Sequence, residues 1–320
     1  MAFDIDKNGV AAQRTKGQRS VWVHPTLPLR HKYGEYHRLV QELKLDGAKF
    51  KVYFRLITQQ FEDLLSMVGP SITKMETNYR ETISPAQRLC IYIGDSYHPI
   101  AFNYKIGHST VAVIVQSVSR SIWDCLVPQF MPTPAAEDWK EIVEDFHRLW
   151  AFRNCCVAIY GKHVIIQAPI VLLAVVDSHW RFRVVDVGAF DRSSDGGTLQ
   201  GEQRAFNIRL SHARKTVECA FGILTTQWRL YRRIIGVSPG VAEDVVKATC
   251  ILHNFLRWKA SDEEVNECQA NVPAEAQPAI QHLLRMGSNS ASREALSLRA
   301  TYITYFSLPA GAVPWQYTAV

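Results

Sequence analysis

No stretch of this sequence approaches the roughly 20 consecutive apolar residues of a membrane span, so composition argues against a spanning segment. The first twenty residues hold no apolar core. They carry Asp4, Asp6, Lys7, Arg14, Lys16 and Arg19, which excludes a secretory signal in that position. There is no internal repeat and no low-complexity block. The glycine loop of a phosphate-binding site and the serine elbow of a hydrolase are both missing. The seven cysteines are odd in number and scattered, and none forms a C-x-x-C pair. Disulfides and structural zinc are therefore not expected, and a reduced cytosolic or nuclear compartment fits best.

The 320 residues suffice for one large domain or two ordinary ones, and 47% are hydrophobic against 21% charged. That is a globular balance. The net charge of +6 permits a polyanionic partner without establishing one. The front of the chain reads as helical. Thr58, Phe61, Leu64, Leu65 and Val68 form a stripe at helical spacing. Ser84-Pro85 with Gln87 is a helix start, with a capping hydroxyl and a first-turn proline. The clearest helix follows Ser109 or Thr110 as cap and places Val111, Ile114, Val115, Val118, Ile122 and Leu126 on one face. Another begins after Thr133-Pro134 and buries Trp139, Ile142, Phe146 and Trp150.

Beyond Arg153 the pattern changes. Cys155–Ile159, His163–Gln167, Val171–Val176 and Trp180–Val187 read as short strands, with Asp177-Ser178-His179 as a turn. The stretch from Gly188 to Gly201 reads as loop. Helix resumes near Asn207 and again from Val241 to Trp258. The order of helices, strands and helices gives an α/β (α+β) fold. Its parts are an N-terminal segment (1–50), a helical region (51–150), a strand-bearing domain (151–260), and a linker with a C-terminal tail (261–320).

Several blocks, in order, resemble proteins of the PIF/Harbinger transposase type. They are GHSTVAVIV from Gly107, Trp139 through Trp150 to Asn154-Cys155, AIYGKH from Ala158, VLLAVVD from Val171, and Ser194-Asp195-Gly196-Gly197. NIRLSHARKTVECAFGIL from Asn207, CILHNF from Cys250 and GAVPWQ from Gly311 complete the set. The resemblance implies an RNase H-like nuclease of the DDE superfamily behind a helical, helix-turn-helix-like DNA-binding region at 51–150. It also implies action in the nucleus, beside a separate Myb-like DNA-binding partner.

That family uses two aspartates and a glutamate to hold a divalent metal, Mg²⁺ or Mn²⁺. The requirement is physical: two hard cations about 4 Å apart activate the nucleophile and stabilise the leaving oxygen, and both prefer carboxylate oxygen. Here the first acid falls on Tyr160, a neutral phenol with a pKa near 10. The strand bearing the second is missing, since only Thr198 to Phe206 separates Ser194–Gly197 from the last helix. Smaller gaps fall after Ala168-Pro169 and near Ile93-Gly94. The third acid is Glu218, the expected catalytic and metal-binding residue; read on its own it is a helix surface residue paired with Arg214 at i,i+4. Asp195 is a second candidate metal ligand, although a loop-shaping role is open to it. Asp177 reads as a turn residue, Asp186 as a strand residue near the centre, and His253 as a packed core residue.

DNA contact is expected in two places. One is the helix after Gly107, through Lys105, His108, Ser109, Thr110, Gln116 and Arg120; a polar helix front can lie in a groove, and its N-terminal N–H groups can meet phosphate. The other is a basic zone of Arg204, Arg209, Arg214, Lys215, Arg229, Arg232 and Arg233. Solvated helix faces are the alternative for both. Three functions follow: a metal-dependent nuclease, a DNA- or protein-binding derivative without chemistry, or a decayed transposon product. The first predicts Mg²⁺-dependent cleavage lost in Glu218→Gln. The second predicts salt-sensitive duplex binding that needs no metal and survives that change. The third predicts exposed sheet edges and a non-cooperative melt.

Overall fold

The computed structural model describes residues 28–75, 82–94, 97–165, 170–189, 202–232, 237–258, 280–282 and 293–314. Its architecture is α+β, helices around a small antiparallel sheet. The helical front comprises α1 (Arg30–Tyr33), α2 (Leu39–Leu45), α3 (Gly47–Phe54), α4 (Thr58–Ile72), α5 (Pro85–Ile93), α6 (Tyr97–Asn103), α7 (His108–Phe130) and α8 (Ala136–Trp150). The stripe read from Phe61, Leu64 and Val68 is buried on α4. Ser84 caps α5 as expected, accepting from the Gln87 N–H at 3.3 Å with Pro85 in the first turn.

α7 starts one residue before its expected caps. Its N-cap is Gly107, in extended conformation, because the glycine ends the turn that Lys105 opens with φ 55°. Ser109 and Thr110 therefore lie inside the first turn and are exposed. α7 also departs from the expectation about membrane spans: at 23 residues it is long and apolar enough to cross a bilayer by length and composition. Its stripe of Val111, Ile114, Val115, Val118, Ile122 and Leu126 is instead buried in the protein core.

The sheet follows as β1 (Ala158–Val164), β2 (Ile170–Val176) and β3 (Phe182–Ala189). The two strands expected at Cys155–Ile159 and His163–Gln167 are one. β1 runs unbroken through Tyr160-Gly161-Lys162, because that run pairs in register with Ala174, Leu173 and Leu172 of β2. The Asp177 turn joins β2 to β3 as expected. Asp177 is buried; its Oδ1 accepts from the N–H groups of His179 (2.9 Å) and Arg181 (3.0 Å), and its Oδ2 from Arg183. Asp186 is not near the centre: it is exposed on the outer face of β3, since it alternates with inward-facing Val185 and Val187.

Two long helices cover the inner face of the sheet, α9 (Glu202–Gln227) and α10 (Pro239–Arg257). A three-residue strand, β4 (Ile280–His282), pairs antiparallel with the Lys162–Val164 end of β1. Among the described residues no strand lies beside Ala158–Gly161 on that edge. The chain then adds α11 (Arg293–Ser307), within the stretch expected to be linker and tail. α11 packs on α9 through a second apolar cluster of Phe152, Phe206, Ala213 and Phe306.

One core runs through both the helical front and the sheet. Its polar tie is Asn254 on α10, fully buried. The Asn254 side-chain amide donates to the carbonyls of Phe130, at the end of α7, and Phe182, at the start of β3, at 2.8 and 2.7 Å. Its oxygen accepts from the Phe182 N–H at 2.8 Å. Beside it the His253 ring N–H meets the Trp180 carbonyl at 2.7 Å. Trp150 adds a bond from its indole N–H to the Ser178 carbonyl at 3.0 Å.

Two predictions follow from this junction. Asn254→Ala strands three buried backbone groups and lowers stability by about 3 kcal/mol or more, each lost partner being worth roughly 1–3 kcal/mol. Asn254→Asp does worse, because it keeps the acceptor for the Phe182 N–H but buries an unpaired carboxylate against two carbonyl oxygens. Urea unfolding of both variants checks the order. Burial also drives the pKa of His253 from an ordinary value of 6.5 down to about 3. The unfolded chain therefore binds a proton that the folded chain refuses between those values. Stability is full above pH 6.5 and falls by on the order of 1 kcal/mol per unit as pH drops toward 3. A flat wild-type melting temperature from pH 7 to pH 4.5, or one whose slope is unchanged in His253→Gln, would count against this.

Candidate functional site

α9 crosses the inner face of the sheet over β1. A strand places every second side chain on one face, and a helix places residues four and seven apart on one face. Tyr160 and Lys162 of β1 therefore meet Arg214, Glu218 and Phe221 of α9. The Arg214 guanidinium carbon lies over the Tyr160 ring, 5.6 Å from its centroid. The Arg214 Nη2 is 3.6 Å from the Glu218 Oε1, and both side chains are partly open to solvent. The Lys162 ammonium lies 5.8 Å from the centroid of the Phe221 ring. Burial lowers the pKa of Lys162 and the charge of Glu218 pulls it back up, which places the two in electrostatic contact. Phe221 is buried and closes the floor.

The structure thus brings together the positions of the first and third acids expected from the sequence. Tyr160 stands at one and Glu218 at the other. Asp195 lies outside the described residues. Among the described residues no three His, Cys, Asp or Glu side chains gather where they could hold a metal ion. Among the described residues the donor set does not fit a pair of divalent cations. One carboxylate is shared between a guanidinium and an ammonium, and each of these repels a second positive ion. Lys162 was not singled out in the sequence. The signal for it is its i+2 spacing from Tyr160, which carries meaning only once β1 is known to be continuous.

The residues expected to touch DNA divide into three groups. Lys105, His108, Ser109 and Thr110 cluster at the start of α7, the last three exposed and Lys105 half-buried. Phe102 and Asn103 beside them are exposed as well. Gln116 and Arg120, further along the same helix, face α10. The Arg120 Nε donates to the Asp244 Oδ2 at 2.8 Å and the Gln116 amide reaches the same oxygen at 3.4 Å. On α9, Arg214 and Lys215 are exposed.

Arg209 is different, being buried against α11. It donates to the Gly311 carbonyl at 3.1 Å and to the Ala151 carbonyl, and its guanidinium carbon lies 4.3 Å from the centroid of the Phe306 ring. It pins the end of α8 and the C-terminal segment onto α9. The side chains of Arg204, Arg229 and Arg232, and the whole of Arg233, lie outside the described part of the molecule.

Residues 159–254 match the profile of a family described as DDE superfamily endonuclease. No curated protein matches the chain, and no solved structure does. The matched span runs from β1 through β2, β3 and α9 to Asn254 of α10. It contains Tyr160, Lys162, Arg214 and Glu218 and covers well under half of the 320 residues. Over that span the chain is similar to endonucleases of this superfamily, which supports a transposase-type nuclease ancestry. Such enzymes typically work with divalent metals on DNA.

The geometry of Arg209 predicts a structural phenotype. Arg209→Met keeps the apolar stem on Phe306 but abandons two buried carbonyls, a loss of about 2–4 kcal/mol. Limited proteolysis checks it. Cleavage within 293–314 should quicken in the variant while the core from α4 to α10 stays intact.

Proposed function

We propose that this protein is a transposase-derived DNA-binding protein that retains the framework of a DDE nuclease but not its metal-dependent chemistry. The observation that carries the reading is the composition of the β1–α9 crossing. Phosphodiester cleavage by two metal ions needs converging oxygen anions. Here Lys162 and Arg214 flank the carboxylate of Glu218, Tyr160 packs against Arg214, and among the described residues no three acidic, His or Cys side chains gather. A phenol beside a guanidinium does not bridge two dications. The ancestry is supported by the endonuclease match over 159–254, and DNA is the ligand such an ancestry supplies.

Duplex contact is assigned to two surfaces. The first is the opening turn of α7. Lys105 supplies charge, His108, Ser109 and Thr110 supply donors, and Gly107 at the N-cap offers no side chain to the helix N–H groups. The second is the exposed pair Arg214 and Lys215 on α9. Gln116 and Arg120 join the first surface only if they release Asp244, and Arg209 belongs to the fold rather than to the interface. The resemblance to PIF/Harbinger proteins adds a nuclear site of action and a Myb-like partner to this proposal.

The active-nuclease reading makes the opposite prediction, so one assay separates them. With the full-length chain and a labelled duplex, binding should persist in EDTA, weaken steeply with salt, and survive Glu218→Gln. Added Mg²⁺ or Mn²⁺ should release no nicked product. Magnesium-driven strand scission that disappears in Glu218→Gln would overturn the proposal.

A further inference from the structure

We infer that Lys162 and Arg214 stand in for the missing cations, and that the β1–α9 crossing binds a backbone phosphate of DNA directly, without metal. The inference rests on the DNA-binding reading above and names the ligand and the contacts of that site.

The chemistry favours phosphate. A guanidinium offers a planar fork of N–H donors that matches two phosphate oxygens, and an ammonium is a compact point charge. Arg214 lies over the Tyr160 ring at 5.6 Å, and such packing restricts the orientation of the fork. Lys162 rises from the floor beside Phe221. It is partly withdrawn from water, where a charge acts more strongly than at the surface.

Glu218 is the one charge on the described α9–β1 surface that opposes an anion. Its bond to Arg214 is long, 3.6 Å, and partly solvated, a kind of pair worth little. A phosphate can replace that carboxylate on the guanidinium. With Lys162, Arg214 and neighbouring Lys215 against Glu218, cations outnumber anions three to one at this crossing. β4 covers only the Lys162–Val164 end of β1, so the Ala158–Gly161 edge has no described strand beside it.

The sign of each charge makes the test specific. The full-length protein is titrated onto a labelled 20-bp duplex of mixed sequence, in EDTA, across a salt series. Lys162→Gln and Arg214→Gln should each flatten the slope of log K against log salt by roughly one. Glu218→Gln should tighten binding severalfold, because it removes the opposing charge. Inorganic phosphate at millimolar concentration should compete with the duplex on wild type and lose that effect in Lys162→Gln. Lys162→Arg and Arg214→Lys, which keep the charge, should restore the slope.

Outcomes separate cleanly. If wild type binds the duplex but the two Gln variants keep its slope, the inference is wrong while the DNA-binding reading stands. If the charge-keeping variants fail as badly as the Gln variants, the residues act through the fold and the inference is likewise wrong. If binding needs Mg²⁺ or Mn²⁺, or Glu218→Gln weakens it, the site is a metal site and both fall. No duplex binding by wild type at any salt overturns the DNA-binding reading itself.

Discussion

A single buried amide holds this molecule's two halves in register. Asn254 reaches the last carbonyl of α7 on one side and both backbone groups of Phe182 on the other. An apolar core can slide, since its attractions are non-directional. Three hydrogen bonds in a dry junction cannot, because any displacement strands backbone groups that have no water to turn to. The position of β3 relative to the helical front is fixed there, and with it the sheet. His253 and Trp150 brace the same corner through the Trp180 and Ser178 carbonyls. Everything at the β1–α9 crossing inherits its geometry from that anchoring.

What the crossing can do is decided by charge rather than by shape. α9 lies over β1 and sets Glu218 beside Arg214 and Lys162. The side chains around Glu218 are those a dication would avoid. An ammonium and a guanidinium near one carboxylate neutralise it and leave a positive excess. The same backbone arrangement that would converge acids on metal ions thus converges cations on an anion. A scaffold can exchange one ligand for another of opposite charge without altering its packing, because the exchanged groups sit at the solvent side of a buried floor formed by Phe221 and β2.

Much of this fold was readable from periodicity. The α4 stripe, the Ser84 cap, the apolar face of α7, the helical stretch of α10, the Asp177 turn and the runs of β2 and β3 each follow from local rules that tertiary structure reinforces. Glu218 and Tyr160 were singled out through the blocks that resemble transposase proteins, and the fold sets both against Arg214. What escaped was set by partners distant in sequence. Tyr160-Gly161-Lys162 looks like a break between strands by composition, yet pairing with β2 carries β1 through it. Arg120 reads as a free cation until α10 brings Asp244 to it. Arg209 reads as one more surface charge, and only the docking of α11 makes it a buried pin.

The Arg209 clamp bears on the crossing as well. It ties Ala151, Phe306 and Gly311 to α9 five residues before Arg214 and nine before Glu218. A helix that carries functional side chains at its middle needs both ends held if those side chains are to keep their angle over the sheet. The Gln227 end of α9 is held by a bond from its side chain to the Arg55 carbonyl at the end of α3. The other end is held by the C-terminal segment through Arg209. α11 therefore acts as the second clamp of a long lever, and its small aromatic cluster, separate from the main core, makes it the clamp that opens at the lower free energy. Any loosening there reaches Arg214 and Glu218 before it reaches the Asn254 junction.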